Sequence, residues 1–420
     1  MRDVIVVGAG TFGLSAALAL RAAGHRVTVL DPGPIPHPRA ASTDLSKAVR
    51  ADYGRDDFYM DWMLEALPRW RAWNARWARP LFHETGVAFL SGGVGAGFEH
   101  ESAARFEARG LSVERLDGAG IARRFPQWAK NRFESGYFNP LGGWAESGEV
   151  VAALARDAAA AGIEVRGEVP VLAIHDDGAG VDTPTGSLRA DAVVVAGGAW
   201  TPKLVPELAP ACARAVAKQS ERAQKPASGA ERRGNPPDSL TFSATDAMRS
   251  TAQTIFLLRP EDPTPWVGAR HPMFGADISQ TGWYGFPIHP TGLLKIAHHG
   301  DGWALDPDAP REAPAHFVQR FRDFLARDLP SLVDAPLVEA RVCLYCDTFD
   351  GDFWIDRSPQ RPALIVASGG SGHGFKFAPV LGDVVVSVLD DLPHPARERF
   401  RWRTPTERAK EDARAIGEPQ

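Results

Sequence analysis

The sequence predicts an α/β (α+β) fold that opens with a strand–helix–strand unit. Residues 3–7 are a short apolar run typical of a buried strand, and a glycine-rich turn follows them. Leu14 to Ala23 consists of helix-favouring residues, and Val27 to Leu30 is apolar again. This order of strand, tight turn, helix and strand within about 30 residues predicts one βαβ unit.

The turn after the first strand carries a nucleotide-binding pattern. Gly8, Gly10 and Gly13 fit G-x-G-x-x-G. The first glycine allows a tight turn, the second lets the backbone approach a pyrophosphate, and the third lets the helix pack on the strand. Asp31 ends the second strand, where a carboxylate can accept hydrogen bonds from ribose hydroxyls. These features predict a Rossmann-like dinucleotide site, and the choice between FAD and NAD stays open at this point.

Size and charge restrict the class of protein. The chain has 420 residues, of which 44% are hydrophobic and 24% charged, and its formal net charge is −5. That length allows two or three domains, or two interleaved ones. We expect no nucleic-acid partner because there is no basic block. We expect no membrane partner because the longest apolar run, Val193 to Trp200, is far shorter than the roughly 20 residues of a membrane span. Three cysteines without a disulfide framework favour a cytoplasmic protein.

Two stretches differ from the rest of the chain. Residues 219–252 are rich in Ser, Arg, Lys, Gly, Pro and Asn without apolar periodicity. We therefore expect a flexible insert there, or an artefact of the gene model. Residues 396–420 are strongly charged, and we expect them to form a surface tail.

Three further segments combine chemistry-bearing residues in an unusual way. The first runs from Ser42 and Thr43 to Arg50, and the second contains Tyr284 and Lys295-Ile-Ala-His-His299. The third is Cys343-x-Tyr-x-x-Thr, followed by Phe-x-Ile-Asp and Ser-Gly-His-Gly-Phe-Lys376. In these segments the sequence resembles the flavin oxidases of the D-amino-acid-oxidase superfamily, specifically monomeric sarcosine oxidases and fructosyl amino acid oxidases. The similarity runs from residue 3 to about residue 390, interrupted by the insert.

The resemblance implies FAD as the cofactor, covalently attached through Cys343. Two other interpretations of this cysteine stay open: a buried apolar residue, or a redox pair with Cys346. The cofactor-binding residues that we predict are Gly8, Gly10, Gly13, Asp31, Ser42, Thr43, Lys47, Val171, Gly198, Cys343, Gly372, His373, Gly374 and Lys376.

The resemblance also implies the catalytic residues. Lys295 matches a lysine that promotes the reaction of the reduced flavin with O₂, since a fixed positive charge stabilises a superoxide-like anion. Arg50 and Lys376 match the pair that holds a substrate carboxylate. Three residues match groups that line the substrate pocket: Tyr284, Tyr345 and His299. Two positions depart from the family pattern: His298 replaces an aromatic residue and Lys47 replaces an arginine. The histidines show no ligand spacing, and we predict no metal site.

The implied activity is oxidation of the C–N bond of an N-substituted amino acid, such as sarcosine or a fructosyl amino acid, with O₂ reduced to H₂O₂. One alternative is a dehydrogenase that passes electrons to another acceptor. The other is a non-catalytic flavoprotein that uses the insert for docking.

We predict a discontinuous arrangement of two domains, with no prediction of oligomeric state. A Rossmann-like FAD-binding domain is assembled from residues 1–80, 145–215 and 340–395. A discontinuous substrate domain on a mixed antiparallel sheet comes from residues 81–144 and 253–339.

Overall fold

A computed structural model describes residues 1–93, 97–209, 246–406 and 413–415 of the chain. The helices that it describes are α1 Thr11–Ala22, α2 Asp57–Arg76, α3 Gly97–Ala108, α4 Gly118–Arg124, α5 Ser147–Ala160, α6 Thr201–Leu204, α7 Ile278–Thr281, α8 Ala315–Asp328, α9 Ala378–Leu389 and α10 Arg397–Phe400. The strands are β1 Asp3–Val7, β2 Arg26–Leu30, β3 Lys47–Val49, β4 Phe82–His83, β5 Val87–Ser91, β6 Glu114–Asp117, β7 Ser135–Asn139, β8 Gly143–Ala145, β9 Glu164–Arg166, β10 Ala173–Ile174, β11 Gly180–Thr183, β12 Gly186–Arg189, β13 Ala192–Val195, β14 Met248–Leu258, β15 Met273–Ala276, β16 Trp283–Gly285, β17 Leu294–His298, β18 Trp303–Ala304, β19 Leu337–Thr348, β20 Trp354–Arg357 and β21 Leu364–Ser368.

The N-terminal βαβ unit forms part of a six-stranded sheet with the order β20-β21-β13-β1-β2-β9. All neighbours are parallel except β20, which pairs antiparallel with β21. Side chains alternate across a strand, so Val4 and Val6 of β1 face one side and Ile5 and Val7 face the other. The first side packs in one hydrophobic cluster with α1, α2, α5 and α9. The second packs with the β10-β11-β12 sheet. Helices on one face and a small antiparallel sheet on the other bury both faces.

A second, nine-stranded sheet has the order β18-β14-β17-β16-β15-β5-β7-β6, with β19 also paired to β14. Its neighbours are antiparallel except for β15 and β5, which are parallel. Helix α8 covers one face, where the rings of Phe256 and Phe321 stack with centroids 4.2 Å apart. Lys295 and Cys343 lie on the opposite face. They pair with Leu257 and Gln253 of β14, which stand one and three residues from Phe256. Side chains alternate along a strand, so both residues point away from α8. The fold class predicted from the sequence is confirmed.

The two sheets draw on different parts of the chain. Strand β19, which carries Cys343, pairs within the nine-stranded sheet rather than the six-stranded one. The domain bounds stay a prediction. No helix among the described residues is long and apolar enough to cross a membrane.

Several local predictions need correction. Most of the predicted insert, residues 219–252, lies outside the described residues, but 248–252 begin the buried strand β14. In the expected surface tail, Phe400 is fully buried against the rings of Phe58 and Phe353. Charge dominates this tail, yet one aromatic side chain is enough to anchor its first turn in the core.

Candidate functional site

A cavity of about 560 Å³ lies at the carboxyl ends of β1, β2 and β13, beside the N-terminus of α1. Its walls come from the glycine turn, from the segment 37–47 before and at the start of β3, from residues 196–204 and from the glycine-rich turn 368–375. Ligands of open parallel sheets bind outside the carboxyl ends of the strands. The cavity therefore occupies the position where the sequence predicts a dinucleotide.

The glycine turn leaves no room for side chains. Gly8 has φ +106°, and a Cβ there would lie 2.5 Å from the Ala196 carbonyl oxygen. A Cβ on Gly13 would lie 1.8 Å from the Gly8 carbonyl oxygen. Such close approach requires glycine at both positions. It brings the start of α1 against the cavity, with the Thr11 N–H donating to Ser42 Oγ at 3.3 Å and no side-chain cap from Gly10.

Asp31 holds this turn from the neighbouring strand. Its carboxylate accepts hydrogen bonds from the backbone N–H groups of Ala9 at 2.8 Å and Gly33 at 3.1 Å. Burial raises the pKa of Asp31, and these two amides oppose that shift. Asp31 also lines the cavity, so it supports the turn while facing the place where a ribose would lie.

Most of the predicted cofactor residues line this cavity. Those that do are Gly8, Gly10, Asp31, Ser42, Lys47, Val171, Gly198, Gly372 and Gly374. Gly13 acts from behind, through its contact with Gly8. The remaining four do not line it: Thr43, Cys343, His373 and Lys376. Arg39 and Trp200 also line the cavity, and sequence reasoning missed both because they lie outside any motif.

A second cavity, of about 50 Å³, adjoins the first. The two share Lys47, Tyr345, Gly372 and Phe375 in their linings. The second is lined by five of the six predicted catalytic residues: Arg50, Tyr284, His299, Tyr345 and Lys376. It also contains His373, which the sequence assigned to the cofactor. Tertiary structure thus assembles these residues into one place from strands and turns far apart in sequence.

Arg50 is a buried cation beside the small cavity. Its guanidinium lies 5.3 to 5.6 Å from the ring centroids of Tyr53, Phe89 and Phe98, and it donates a hydrogen bond to the backbone oxygen of Asp52. Within the part of the chain that the structure describes, no carboxylate forms an ion pair with it within 4.0 Å. The buried carboxyl of Asp52 also interacts with Arg50: burial raises the pKa of Asp52 overall, and Arg50 acts to lower it. The guanidinium lines the small cavity and can bind an anionic ligand there.

Lys376 reaches the same cavity through a hydrogen-bonded chain. Its ammonium donates to the Tyr53 hydroxyl at 2.9 Å and to the His373 carbonyl oxygen at 3.1 Å. The Tyr53 hydroxyl lies 3.0 Å from His373 Nδ1, and His373 Nε2 lies 3.1 Å from the Gly351 carbonyl oxygen. The carbonyl requires a proton on Nε2, so Nδ1 accepts from Tyr53 and Tyr53 accepts from Lys376. Sequence reasoning missed this role of Tyr53, which lies three residues after Arg50.

A buried carboxylate, Asp44, connects three cations next to both cavities. Lys295 donates to it and to the Ser46 carbonyl oxygen, the latter at 2.7 Å. Lys47 Nζ lies 3.2 Å from Asp44, and Arg341 donates to it at 2.7 Å. Sequence reasoning missed Asp44, because nothing in the residue or its neighbours Thr43 and Leu45 marks it as an ion-pair partner. Lys295 itself lines neither cavity.

The cations and Asp44 shift one another's protonation. Burial would raise the pKa of Asp44, but the three cations hold it well below its usual range. Burial lowers the pKa of Lys295 to about 8, in spite of Asp44. Burial also acts to lower the pKa of Lys47, but the surrounding groups raise it overall. The single carboxylate of Asp44 thus compensates the positive charge of more than one basic residue.

The two cysteines of β19 are both free and buried. They are three residues apart on a strand and therefore face opposite sides, which excludes the redox pair that the spacing left open. Cys343 Sγ lies 3.9 Å from Lys47 Nζ but lines neither cavity. Cys346 lines the large cavity, and burial raises the pKa of its thiol to about 11.

Comparison with known proteins supplies the class. Residues 3–388 match the family model described as DAO, FAD dependent oxidoreductase. The chain belongs to this family, so it is an FAD-dependent oxidoreductase. The glycine turn, the α1 N-terminus and the cavity of about 560 Å³ fit the pyrophosphate and the rings of such a cofactor.

The matched relatives are oxidases. Monomeric sarcosine oxidase from Bacillus sp. (strain NS-129) is 26% identical over 394 residues, covering 92% of each chain. N-methyl-L-tryptophan oxidase from Salmonella arizonae is 27% identical over 398 residues, covering 93% of this chain and 95% of the relative. An amadoriase I variant from Aspergillus fumigatus superposes with a TM-score of 0.78 at 25% identity, covering 99% of this chain and 93% of the other.

The glycine turn makes a direct prediction about flavin binding. Gly13→Ala places a methyl group against the Gly8 carbonyl oxygen and displaces α1 from the phosphate site. We expect FAD affinity to fall by about 10-fold or more, the equivalent of at least 1.4 kcal/mol. The measurement is flavin content per chain at about 450 nm, followed by titration of the apoprotein with FAD. Gly97→Ala is the control, because no atom lies within 4 Å of a Cβ there. Full flavin content in Gly13→Ala would contradict this account of the turn.

Proposed function

We propose that this enzyme oxidises a small N-substituted amino acid at the carbon beside its nitrogen, with O₂ as the electron acceptor. The observation that carries the proposal is the pair of cations, Arg50 and Lys376, in a small cavity that adjoins the cofactor cavity. The names of the relatives support the substrate class. The small cavity, of about 50 Å³, adjoins the cofactor cavity and is the site that we assign to the substrate.

Arg50 and Lys376 bind the substrate carboxylate in this proposal. An arginine offers a planar fork that matches a carboxylate, and a lysine adds a compact charge. The aromatic rings around Arg50 and the hydrogen bonds of Lys376 hold both cations in place before substrate arrives. With the carboxylate fixed, the oxidisable C–H bond is directed toward the larger cavity, and this orientation is much of the catalysis.

No Asp or Glu is among the described residues that line the small cavity. The polar groups around the substrate nitrogen are therefore phenols, imidazoles and amines, including Tyr284, Tyr345 and His299. His299 Nδ1 lies 3.4 Å from the Tyr345 hydroxyl. Such a lining lacks a carboxylate that would stabilise a positive ammonium. It suits an amine that binds in its neutral form, with its lone pair available for imine formation.

Bound FAD supplies the acceptor for the hydride and returns the electrons to O₂ as H₂O₂. Lys295 is the cation that we assign to O₂ activation, because it is buried and shares Asp44 with Lys47, a residue that lines both cavities. A fixed charge in a site that excludes water stabilises a developing anion more than it would in solvent. The resulting imine is hydrolysed by water after release.

We further propose that Cys343 is joined covalently to the flavin ring. Its sulfur lies beside Lys47, a residue that lines both cavities. Forming the S–C bond removes two hydrogens with two electrons, which O₂ accepts. The free thiols of Cys343 and Cys346 also support the cytoplasmic, reducing location expected from the sequence.

The first test is peroxide release from the purified protein with a panel of N-methyl amino acids, proline-like imino acids and fructosyl glycine. We expect turnover with the small N-methyl members. Arg50→Met should raise KM by about 10- to 100-fold, since a charge-assisted hydrogen bond contributes roughly 1.5–3 kcal/mol. The matched control is Arg55→Met, which removes an exposed arginine paired with Glu101. No peroxide with any amine would end the proposal.

Covalent attachment is tested by acid precipitation of the wild-type protein and two cysteine variants. We expect yellow colour to stay with the wild-type and Cys346→Ser pellets and to move to the supernatant for Cys343→Ser. Cys346→Ser is an informative control because Cys346, and not Cys343, lines the large cavity. Release of the colour by Cys346→Ser alone would assign the attachment to the other sulfur.

Lys295 makes a prediction about pH. Its lowered pKa, about 8, means that the ammonium loses its proton as pH rises through that value. We therefore expect reoxidation of the reduced flavin by O₂ to slow above about pH 8. Lys295→Met should slow reoxidation by about 100- to 1000-fold and abolish this pH dependence. Stopped-flow absorbance after anaerobic reduction measures the step separately from substrate oxidation. An unchanged rate in the variant would remove Lys295 from the mechanism.

A further inference from the structure

Residues 413–415 pack against His299 and Gly300, the first of which lines the small cavity. The backbone N–H of Ala415 donates to the His299 carbonyl oxygen at 3.2 Å, and Ala415 forms a parallel bridge with Gly300. Arg414 is only 3% exposed. These residues lie beyond 3–388, the part of the chain that matches the family model. The segment therefore adds to the site something that the family motifs do not contain.

Arg414 contacts the two segments that carry the pocket residues His299 and Tyr345. Its Nε donates to the Gly300 carbonyl oxygen at 2.8 Å, directly after His299. Its Nη2 donates to Asp347 Oδ2 at 2.7 Å. The guanidinium carbon also lies 5.8 Å from the ring centroid of Tyr345. Tyr345 and Asp347 are two residues apart on β19 and so face the same side of the sheet.

The Arg414–Asp347 pair is fully enclosed. Asp347 is 0% exposed, and burial acts to raise its pKa, but Arg414 and other neighbours lower it overall. Loss of one partner leaves the other as a buried charge with weaker compensation, which is far more costly than loss of an exposed pair. Arg249 opposes Asp347 on β14 and also lowers its pKa. Removal of Arg414 would therefore pull Asp347 toward β14 and free the Tyr345 ring on this side.

We propose that Arg414 is a positioning residue, which locks the walls bearing His299 and Tyr345 and so sets the affinity of the small cavity for its carboxylate ligand. This inference rests on the proposed function, because it assumes that His299 and Tyr345 line the substrate pocket. Arg414 itself does not line either cavity. Its effect therefore passes through the packing of these two side chains.

The test compares four full-length, flavin-loaded proteins: wild type, Arg414→Met, Arg414→Lys and Arg401→Met. Methionine keeps the length of the side chain without its charge, whereas lysine restores the charge without the fork. Arg401 is the control because it is exposed and its side chain hydrogen-bonds to Glu398 of the same turn. The probe is (methylthio)acetate, in which sulfur replaces the N–H of sarcosine so that imine formation is impossible. Its Kd is read from the change in flavin absorbance on titration.

We expect Arg414→Met to raise the Kd by about 10-fold or more, since small displacements of positioning groups carry large effects. Arg414→Lys should recover part of the affinity, and Arg401→Met should match wild type. A fifth protein, Asp347→Asn, keeps the shape of the side chain but not its charge and should behave like Arg414→Met. If Arg414→Met does not fold, this Asn variant and Arg414→Lys decide the question in its place. An unchanged Kd in Arg414→Met and Asp347→Asn overturns the inference.

Failure of the proposed function gives a different result. If wild type neither binds the probe nor oxidises any amine, the substrate assignment falls, and the ligand-free flavin spectrum then tests the packing role. Because Tyr345 lines both cavities, loosening it should shift the flavin absorbance of Arg414→Met but not of Arg401→Met. Identical spectra in all four proteins would overturn the positioning role as well.

Discussion

The buried carboxylate of Asp44 is the interaction on which the arrangement of the site depends. It binds Lys295 of β17 and Arg341 of β19, and it pairs with Lys47 at the start of β3. The chain that leaves the nucleotide turn is thereby tied to the nine-stranded sheet. Without this negative charge, three cations would be enclosed together at a cost that burial makes large. The charge balance thus joins the cofactor cavity to the catalytic sheet.

The two faces of strand β19 carry residues with different roles. Tyr345 belongs to both cavities, and Cys343 on the same face lies beside Lys47. Cys346, on the other face, lines the large cavity and hydrogen-bonds to Ser368. Because a strand alternates its side chains, one short motif can serve a cofactor wall, a substrate wall and the charge cluster. The same alternation sends Asp347 back toward Arg414 and the C-terminal segment.

Arg50 and Lys376, the two cations at the small cavity, are held in place in different ways. Arg50 is surrounded by aromatic rings, whose faces attract a guanidinium without neutralising it. Lys376 is held by a neutral chain through Tyr53 and His373. Both arrangements hold a cation at the lining of the small cavity, where it can attract an anionic ligand. A carboxylate that enters meets cations already oriented, which limits the entropy lost on binding.

The sequence by itself determined the βαβ unit, the glycine turn and Asp31, because these depend on local spacing and on the steric demands of glycine. The family motifs also singled out five residues that line one cavity: Arg50, Tyr284, His299, Tyr345 and Lys376. Only the tertiary structure decided the partners of Lys295, the position of Cys343 outside the two cavity linings and the burial of Phe400 and Arg414. Asp44, Tyr53 and Arg414 carry no local signal. Their roles arise from contacts between residues tens to hundreds of positions apart, which folding alone brings together.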